Sequence, residues 1–346
     1  MFQDLIGNAD AGRLLGRLVK NGRIANALLF CGPESVGKRQ FAIELARAFV
    51  CQSPVGSEAC GNCSACNRAG KFEIPVPDTK NKDDFKRVFF SQHPDVGLVV
   101  PYNRNILVGA IRDLEYEANF RPYETSVRFF IIDEADKMND AASNALLKTL
   151  EEPSPTSHLI LVTSRPDALL QTVLSRCQTI RFEPVPVEAI ELYLMNSLAM
   201  NGDDARLAAR AAAGSIGRAI GTDVEGLRQR RSLMIEVLRS ILETRDRAAL
   251  LKISDVLSDV ENRSVFDENM ALLQTLIHDV WMLNLGAGHD RLMHPDLASE
   301  HARFAEMADE RDLRSWLLEI EAVCQQAEVN VNRRIAADAL FMKMSA

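Results

Sequence analysis

The first half of the chain alternates short, mainly apolar runs with amphipathic segments. The runs lie at residues 27–31, 96–100, 129–133, 159–163 and 179–182. Apolar runs of this length are typical of strands that are buried on both faces. The segments between them, such as residues 40–49, repeat their apolar positions at helical spacing. This alternation predicts an α/β domain over residues 1–183, with a parallel sheet between helices.

The second half has a wholly helical pattern. Two prolines, Pro184 and Pro186, break the chain before an Ala-rich segment, which predicts a small helical domain over residues 184–226. From residue 227 onward, apolar side chains recur at helical spacing, so we predict an all-helical third domain over residues 227–346. Two predicted faces are formed by Met234, Val237, Leu238, Ile241 and Leu242, and by Met270, Leu273, Ile277, Val280 and Trp281.

Residues 67–92 have neither pattern. Between Lys71 and Phe90 the chain carries five basic and four acidic residues, so the charges nearly cancel. This composition predicts a solvated loop or flexible hairpin rather than a nucleic-acid-binding arm.

Overall composition narrows the class of protein. A chain of 346 residues suits two or three domains, and a formal net charge of −8 argues against a broad DNA-binding surface. No stretch is long and apolar enough to span a bilayer, and the amino terminus lacks the basic residues of a signal peptide. We therefore expect a cytoplasmic protein without a membrane partner.

A phosphate-binding loop follows the first apolar run. Residues 32–39 read Gly-Pro-Glu-Ser-Val-Gly-Lys-Arg. Gly32 and Gly37 would let backbone N–H groups face phosphate oxygens, and Lys38 would reach the terminal phosphates. The last position usually carries the hydroxyl that holds Mg²⁺, but here it is Arg39, whose charge disfavours the metal. A simple glycine turn is the alternative. The strand before and the helix after favour a true phosphate loop that binds ATP or ADP weakly at most.

Two acids, Asp133 and Glu134, end a later apolar run. Such a pair orients Mg²⁺ and activates a water in ATPases. The alternative is that these acids only begin a helix, where negative charge is favourable. Their position, at the end of a buried strand downstream of a phosphate loop, favours the nucleotide site. Because the loop lacks its hydroxyl, the pair is predicted to be vestigial.

Four cysteines form a C-x8-C-x2-C-x2-C cluster at Cys51, Cys60, Cys63 and Cys66. This spacing is typical of one tetrahedral Zn²⁺ held by four thiolates. Four protein ligands leave no open position for water, so we predict a structural zinc module over residues 51–66 rather than a reaction centre.

Together these features resemble the bacterial DNA polymerase III clamp-loader subunits of the AAA+ class. The resemblance rests on the phosphate loop, the cysteine insertion after its helix, the segments 133–136 and 144–153, and the Ser-Arg-Cys triplet at 175–177. It implies an AAA+ core, a helical lid and an oligomerising collar for the three predicted domains, with residues 330–340 as the last collar helix. It also implies that Arg176 is an arginine finger that acts in trans. Taken alone, Arg176 could be an ordinary surface arginine.

Two kinds of subunit share this pattern. The gamma/tau subunits hydrolyse ATP, whereas delta′ subunits often have degraded loops, so Arg39 favours the delta′ type. Residues 214–219 resemble the family's lid segment, and there Arg218 lies one residue later than the nucleotide-sensing arginine of the motors. The resemblance makes Arg218 a candidate nucleotide contact, and a solvated helix arginine is an equal alternative.

The resemblance implies a subunit of the DNA polymerase III holoenzyme without its own ATPase activity. It would supply a finger and a ring scaffold to gamma/tau and delta subunits that load a sliding clamp on primed DNA. One alternative is an ATP-hydrolysing gamma-type motor. Another is a zinc protein that binds DNA directly, against which the acidic composition counts.

Overall fold

The computed structural model describes residue 2 and residues 5–257, 263–327 and 332–345. The chain divides into two compact units, residues 1–221 and residues 222–346. The helices predicted as a lid belong to the first unit together with the sheet. A separate lid domain over residues 184–226 stays a prediction.

The first unit is a mixed α/β structure built on one six-stranded sheet. Its strands are β1 (Ala27–Cys31), β2 (Phe89–Phe90), β3 (Val96–Val99), β4 (Arg128–Ile132), β5 (Ser157–Thr163) and β6 (Gln178–Arg181). Its helices are α1 (Ala9–Asn21), α2 (Lys38–Val50), α3 (Ser64–Ala69), α4 (Val108–Ala118), α5 (Asp140–Glu151), α6 (Gln171–Leu174), α7 (Val187–Leu198), α8 (Gly202–Ala211) and α9 (Ile216–Ile220).

The strands lie in the order β2-β3-β4-β5-β1-β6. All neighbouring pairs are parallel except β2 with β3. Every residue of β1, β3, β4 and β5 is buried, which explains why their sequences are mainly apolar. The predicted parallel sheet is therefore confirmed for five strands, whereas the sixth, β2, is antiparallel and was not predicted.

The region predicted as a solvated loop ends in packed structure. Phe85 is 1% exposed, and its ring centroid lies 5.3 Å from that of Phe89 and 5.4 Å from that of Tyr102. Strand β2 pairs antiparallel with β3, with Phe89 opposite Leu98. A two-residue strand is too short to produce a recognisable alternation in the sequence, so the prediction missed it.

A buried arginine anchors the start of β4. The side chain of Arg128 is fully buried and donates from Nη2 to Glu117 Oε2 at 3.1 Å and from Nη1 to the Glu117 carbonyl at 2.5 Å. Its guanidinium also lies over the rings of Phe90, Tyr123 and Phe130, 5.1 to 5.4 Å from their centroids. These contacts fix the strand that leads to the acid pair.

The second unit is all helical. Its helices are α10 (Val224–Leu242), α11 (Arg247–Leu257), α12 (Arg263–Asn284), α13 (Ala298–Met307), α14 (Glu310–Ala327) and α15 (Arg333–Met344). Of the two predicted faces, Met234, Val237, Leu238, Ile241, Met270, Leu273, Ile277 and Val280 are buried in one core cluster, with Leu242 and Trp281 packed against it.

Helix α15 begins after Asn332, whose side chain accepts a hydrogen bond from the Arg334 N–H at 3.1 Å. The helix was predicted from residue 330, but Asn330 and Val331 lie outside the described residues. Within the described ranges, none of the helices could cross a bilayer.

Candidate functional site

The parallel strands bring the predicted nucleotide-binding residues to one edge of the sheet. Gly32 follows β1, Asp133 follows β4, and Thr163 is the last residue of β5, which lies between those two strands. These positions are the carboxyl ends of their strands, where sheets of this kind bind ligands.

The backbone of the phosphate loop depends on its glycines. Gly32 has a φ of 147° and Gly37 a φ of 96°, both in the region that side chains disfavour. A Cβ at Gly32 would also lie 2.2 Å from the carbonyl oxygen of Phe182. The loop therefore turns into α2 along a path that only glycine allows.

Lys38 is folded back onto the loop. Its side chain is 5% exposed, and its Nζ donates to the carbonyl of Gly32 at 2.7 Å and to that of Pro33. Burial lowers the pKa of Lys38, although the charges of Asp133 and Asp136 act in the opposite direction. Two of the three N–H donors of the ammonium group are therefore used by the loop itself.

Arg39 is paired with the first acid of the predicted metal site. Its Nη1 lies 3.0 Å from Oδ2 of Asp133. Burial raises the pKa of Asp133, and the Arg39 guanidinium partly offsets that effect. The carboxylate that would orient Mg²⁺ is therefore neutralised by a side chain of the loop itself.

Glu134 faces a different partner. It has a left-handed backbone conformation with φ 50° and forms an ion pair with Lys137. Its side chain is 46% exposed. Water could therefore reach this carboxylate, while its predicted role stays untested.

Sequence reasoning assigned no role to a third acid at this edge. Asp136 accepts a hydrogen bond from Thr163 Oγ1 at 2.7 Å and from Arg165 Nη2 at 3.0 Å. Burial alone would raise the pKa of Asp136, but these hydrogen bonds outweigh it and hold the pKa below its usual range. The sequence could have indicated Thr163 as a residue of this site. It ends β5, and the neighbouring strands β1 and β4 lead into the phosphate loop and the acid pair.

Helix α9 brings Arg218 to the loop. The Gly217 N–H donates to the carbonyl of Ser35 at 3.0 Å, and Arg218 Nη2 lies 3.0 Å from Oε2 of Glu34. Residues Gly32, Gly37, Lys38, Arg39, Asp133, Glu134 and Arg218 thus lie around one loop. The partner of Arg218, Glu34, was not predicted.

Arg176 lies elsewhere. It precedes β6, whereas the phosphate loop follows β1, and these neighbouring strands are parallel from Leu28 with Gln178 to Cys31 with Arg181. Arg176 is therefore at the amino edge of the sheet and the loop at the carboxyl edge. A four-residue strand separates the two edges by about 13 Å.

The surroundings of Arg176 are partly open. Its Nη2 donates to Glu151 Oε1 at 2.8 Å and its Nη1 to the Thr172 carbonyl at 3.0 Å. A cavity of about 370 Å³ beside it is lined in part by Asn26, Ser175 and Cys177. Burial raises the pKa of Cys177 to about 11, so its thiol stays protonated and is a poor nucleophile.

The four cysteines converge as their spacing predicts. Their Sγ atoms all lie within 4.8 Å of one another, with Cys51 to Cys63 at 3.8 Å, Cys60 to Cys66 at 3.9 Å and Cys63 to Cys66 at 3.3 Å. A tetrahedral Zn²⁺ with bonds of about 2.3 Å separates its sulfurs by about 3.8 Å. This cluster could therefore hold zinc.

Hydrogen bonds favour the thiolate form at part of the cluster. Burial opposes ionisation of Cys63, but N–H groups of Cys66 and Gln52 lower its pKa to about 6. The module is tied to α2, since Arg47 Nε donates to the Cys66 carbonyl at 2.9 Å. The thiol groups, their distances and their donors all fit a structural zinc site.

Comparison with known proteins decides the family. A sequence profile of the family described as DNA polymerase III, delta subunit, matches residues 7–186. The chain belongs to this family.

Relatives of this DNA polymerase III subunit include a delta′ subunit of Bacillus subtilis, 28% identical over 322 residues, which covers 92% of the chain and 91% of the relative. A delta′ subunit of Escherichia coli is 31% identical over 203 residues, 58% of the chain and 54% of the relative. A solved gamma-subunit-related protein of Thermotoga maritima matches 96% of the chain and 98% of its own, with a TM-score of 0.44 and 17% identity. The predicted resemblance to a clamp-loader delta′ subunit is confirmed.

Proposed function

We propose that this clamp-loader subunit holds an inactive nucleotide site and supplies Arg176 to ATP bound by a neighbouring gamma/tau-type subunit. The observation that carries the first half is the 3.0 Å pair between Arg39 and Asp133. It joins the two positions that would otherwise share Mg²⁺.

Loss of hydrolysis follows from this pair. Mg²⁺ neutralises charge that develops on the transferring phosphoryl group, and it needs both the loop hydroxyl and the acid. Here the hydroxyl is absent, and the metal would have to displace a guanidinium from Asp133. Any ATP or ADP is therefore bound weakly, largely without Mg²⁺, by Lys38 and the loop amides. Arg218, which is paired with Glu34, is a further candidate contact with the nucleotide.

The finger role is supported by position. Because Arg176 is at the opposite edge of the sheet from its own loop, it is oriented away from any nucleotide bound there. A guanidinium offered across an interface can stabilise the charge on a phosphoryl group held by another subunit. The cavity beside Arg176 provides space for such an approach.

The remaining parts serve assembly. We propose that residues 184–226 form a lid and residues 227–346 a collar in a ring with gamma/tau and delta subunits, which loads a sliding clamp on primed DNA in the cytoplasm. Relatives named as tau subunits support gamma/tau partners, for example one of Bacillus subtilis that is 30% identical over 55% of the chain and 30% of its own length. One Zn²⁺ at Cys51, Cys60, Cys63 and Cys66 would hold the module after α2 in shape.

Steady-state ATP hydrolysis by the isolated chain tests the inactive site. We expect no turnover above background. Hydrolysis that requires Mg²⁺ and disappears in a Glu134→Gln variant would instead identify a gamma-type motor.

A further inference from the structure

Glu151 is the last residue of α5 and contacts the proposed finger. Its Oε1 accepts from Arg176 Nη2 at 2.8 Å, and the two side chains are 52% and 36% exposed. On the other side of the guanidinium, Nη1 donates to the carbonyl of Thr172. Arg176 is thus held at two points by residues of α5 and α6.

Helix stability does not explain this acid. The carboxyl end of a helix carries partial negative charge, so a carboxylate in the last turn is unfavourable for the helix. Glu151 nevertheless occupies that end, next to a second acid, Glu152. Within the described part of the chain, Glu152 forms no ion pair or side-chain hydrogen bond, so the contact with Arg176 distinguishes Glu151 from its neighbour.

The held guanidinium keeps free donors. An arginine has five N–H donors. Among the contacts that the structure describes for Arg176, none uses Nε, and Nη2 donates one of its two hydrogens to Glu151. At least two N–H groups therefore remain, which is enough for a bidentate contact with a phosphate.

We infer that Glu151 is a positioning residue, which restrains Arg176 in the orientation from which it contacts ATP on the neighbouring subunit. This inference rests on the proposed function. An exposed ion pair shifts the population of the restrained conformer by about two- to fivefold, so it orients the finger without immobilising it. Since the neighbouring subunit binds the ATP, Glu151 affects the maximum rate rather than the ATP concentration at half-maximal rate.

The test uses the ring reconstituted with its gamma/tau and delta subunits. In Glu151→Ala, we expect kcat for ATP hydrolysis at the site served by Arg176 to fall about two- to fivefold with KM unchanged. Glu151→Gln should lose less, because its amide oxygen still accepts from Nη2. Glu152→Ala is the matched control, and we expect it to leave kcat unchanged. Size-exclusion chromatography verifies that each variant assembles.

A double variant separates this inference from the proposed function. If Glu151 acts through Arg176, Glu151→Ala should lower the rate no further once Arg176→Ala is present. An Arg176→Ala ring with unaltered rates overturns the proposed finger itself. If Arg176→Ala lowers the rate but Glu151→Ala matches or exceeds the unmodified ring, the finger stands and the positioning role of Glu151 is wrong. A further loss in the double variant also overturns it.

Discussion

The charged residues at the two edges of the sheet lie in different surroundings. At the carboxyl edge, Lys38 is 5% exposed and bonded to loop carbonyls, while Arg39 and Arg218 are paired with Asp133 and Glu34. At the amino edge, Arg176 is paired with the exposed Glu151 and lies beside a cavity. The same fold therefore neutralises the metal-binding acid at its phosphate-binding edge and places a cation beside a cavity at the other.

Under the proposed function, this difference explains how a subunit can contribute to ATP hydrolysis without performing it. Stabilising a phosphoryl group requires a donor that is free to approach it. Arg39 is paired with Asp133, the acid that Mg²⁺ would need, whereas Arg176 is paired with an acid outside the nucleotide site and keeps at least two unused N–H donors.

Arg176→Ala should have the largest effect. A finger that is the sole donor at its site is worth roughly 10³ to 10⁵ in rate. The site that it serves should therefore nearly stop, while total ATP hydrolysis by the ring falls only partly, because other sites keep their own fingers. Clamp loading should fall further than total hydrolysis if loading requires ATP hydrolysis at every site. Steady-state hydrolysis and clamp-loading rates of the reconstituted ring measure both effects.

Arg39→Thr should partly restore the carboxyl edge. The change supplies the missing hydroxyl and frees Asp133, so we expect nucleotide affinity in the presence of Mg²⁺ to rise about tenfold or more over that in EDTA, a gain of about 1.4 kcal/mol. Titration calorimetry measures the affinity. Arg39→Gln is the control, since it removes the charge but supplies no hydroxyl. Equal affinities with and without Mg²⁺ in Arg39→Thr would mean that Arg39 is not what excludes the metal.

Cys63→Ser should leave both edges nearly unchanged. Removing one of the four thiolate ligands should abolish stoichiometric zinc binding. The cysteines are not among the residues of either edge, so ATP hydrolysis by the ring should stay within about twofold. Elemental analysis measures the metal, and Cys324→Ser, which alters a cysteine outside the cluster, should keep one zinc per chain. Unmodified protein purified without chelator but lacking zinc would refute the proposed metal site.

Lys38→Ala should have the smallest effect on the ring. Its ammonium is occupied by the carbonyls of Gly32 and Pro33 at a site that does not turn over, so hydrolysis should change by less than about twofold. The reconstituted ring used for Arg176→Ala provides the measurement. A loss as large as that of Arg176→Ala would mean that both edges take part in catalysis.

The fold could be predicted where one apolar run makes one buried element. Strand β1 matches its predicted range, and β4 begins one residue earlier than predicted. The packing of Phe85 and the pairing of Phe89 could not be predicted, because these depend on contacts with Tyr102 and β3, distant in the chain. Periodicity reports only local burial.

The residues of the candidate site could be predicted from the sequence, but the side chains with which they form ion pairs could not. The loop and the acid pair follow from spacing, and the charge of Arg39 indicated that Mg²⁺ is disfavoured. The contacts of Arg218 with Glu34 and of Arg176 with Glu151 join residues separated by 184 and 25 positions. Nothing in either local sequence indicates these pairs, since they depend on how the helices dock.

Gly32 affects how chains with a phosphate loop are identified by their sequence motif. Any side chain there would collide with the carbonyl of Phe182, whether or not a nucleotide ever binds. Packing alone is therefore enough to require glycine at this position, even in a chain with the proposed inactive nucleotide site. A motif search that scores only the glycines identifies the fold. The residue after Lys38 indicates whether the loop can hold Mg²⁺.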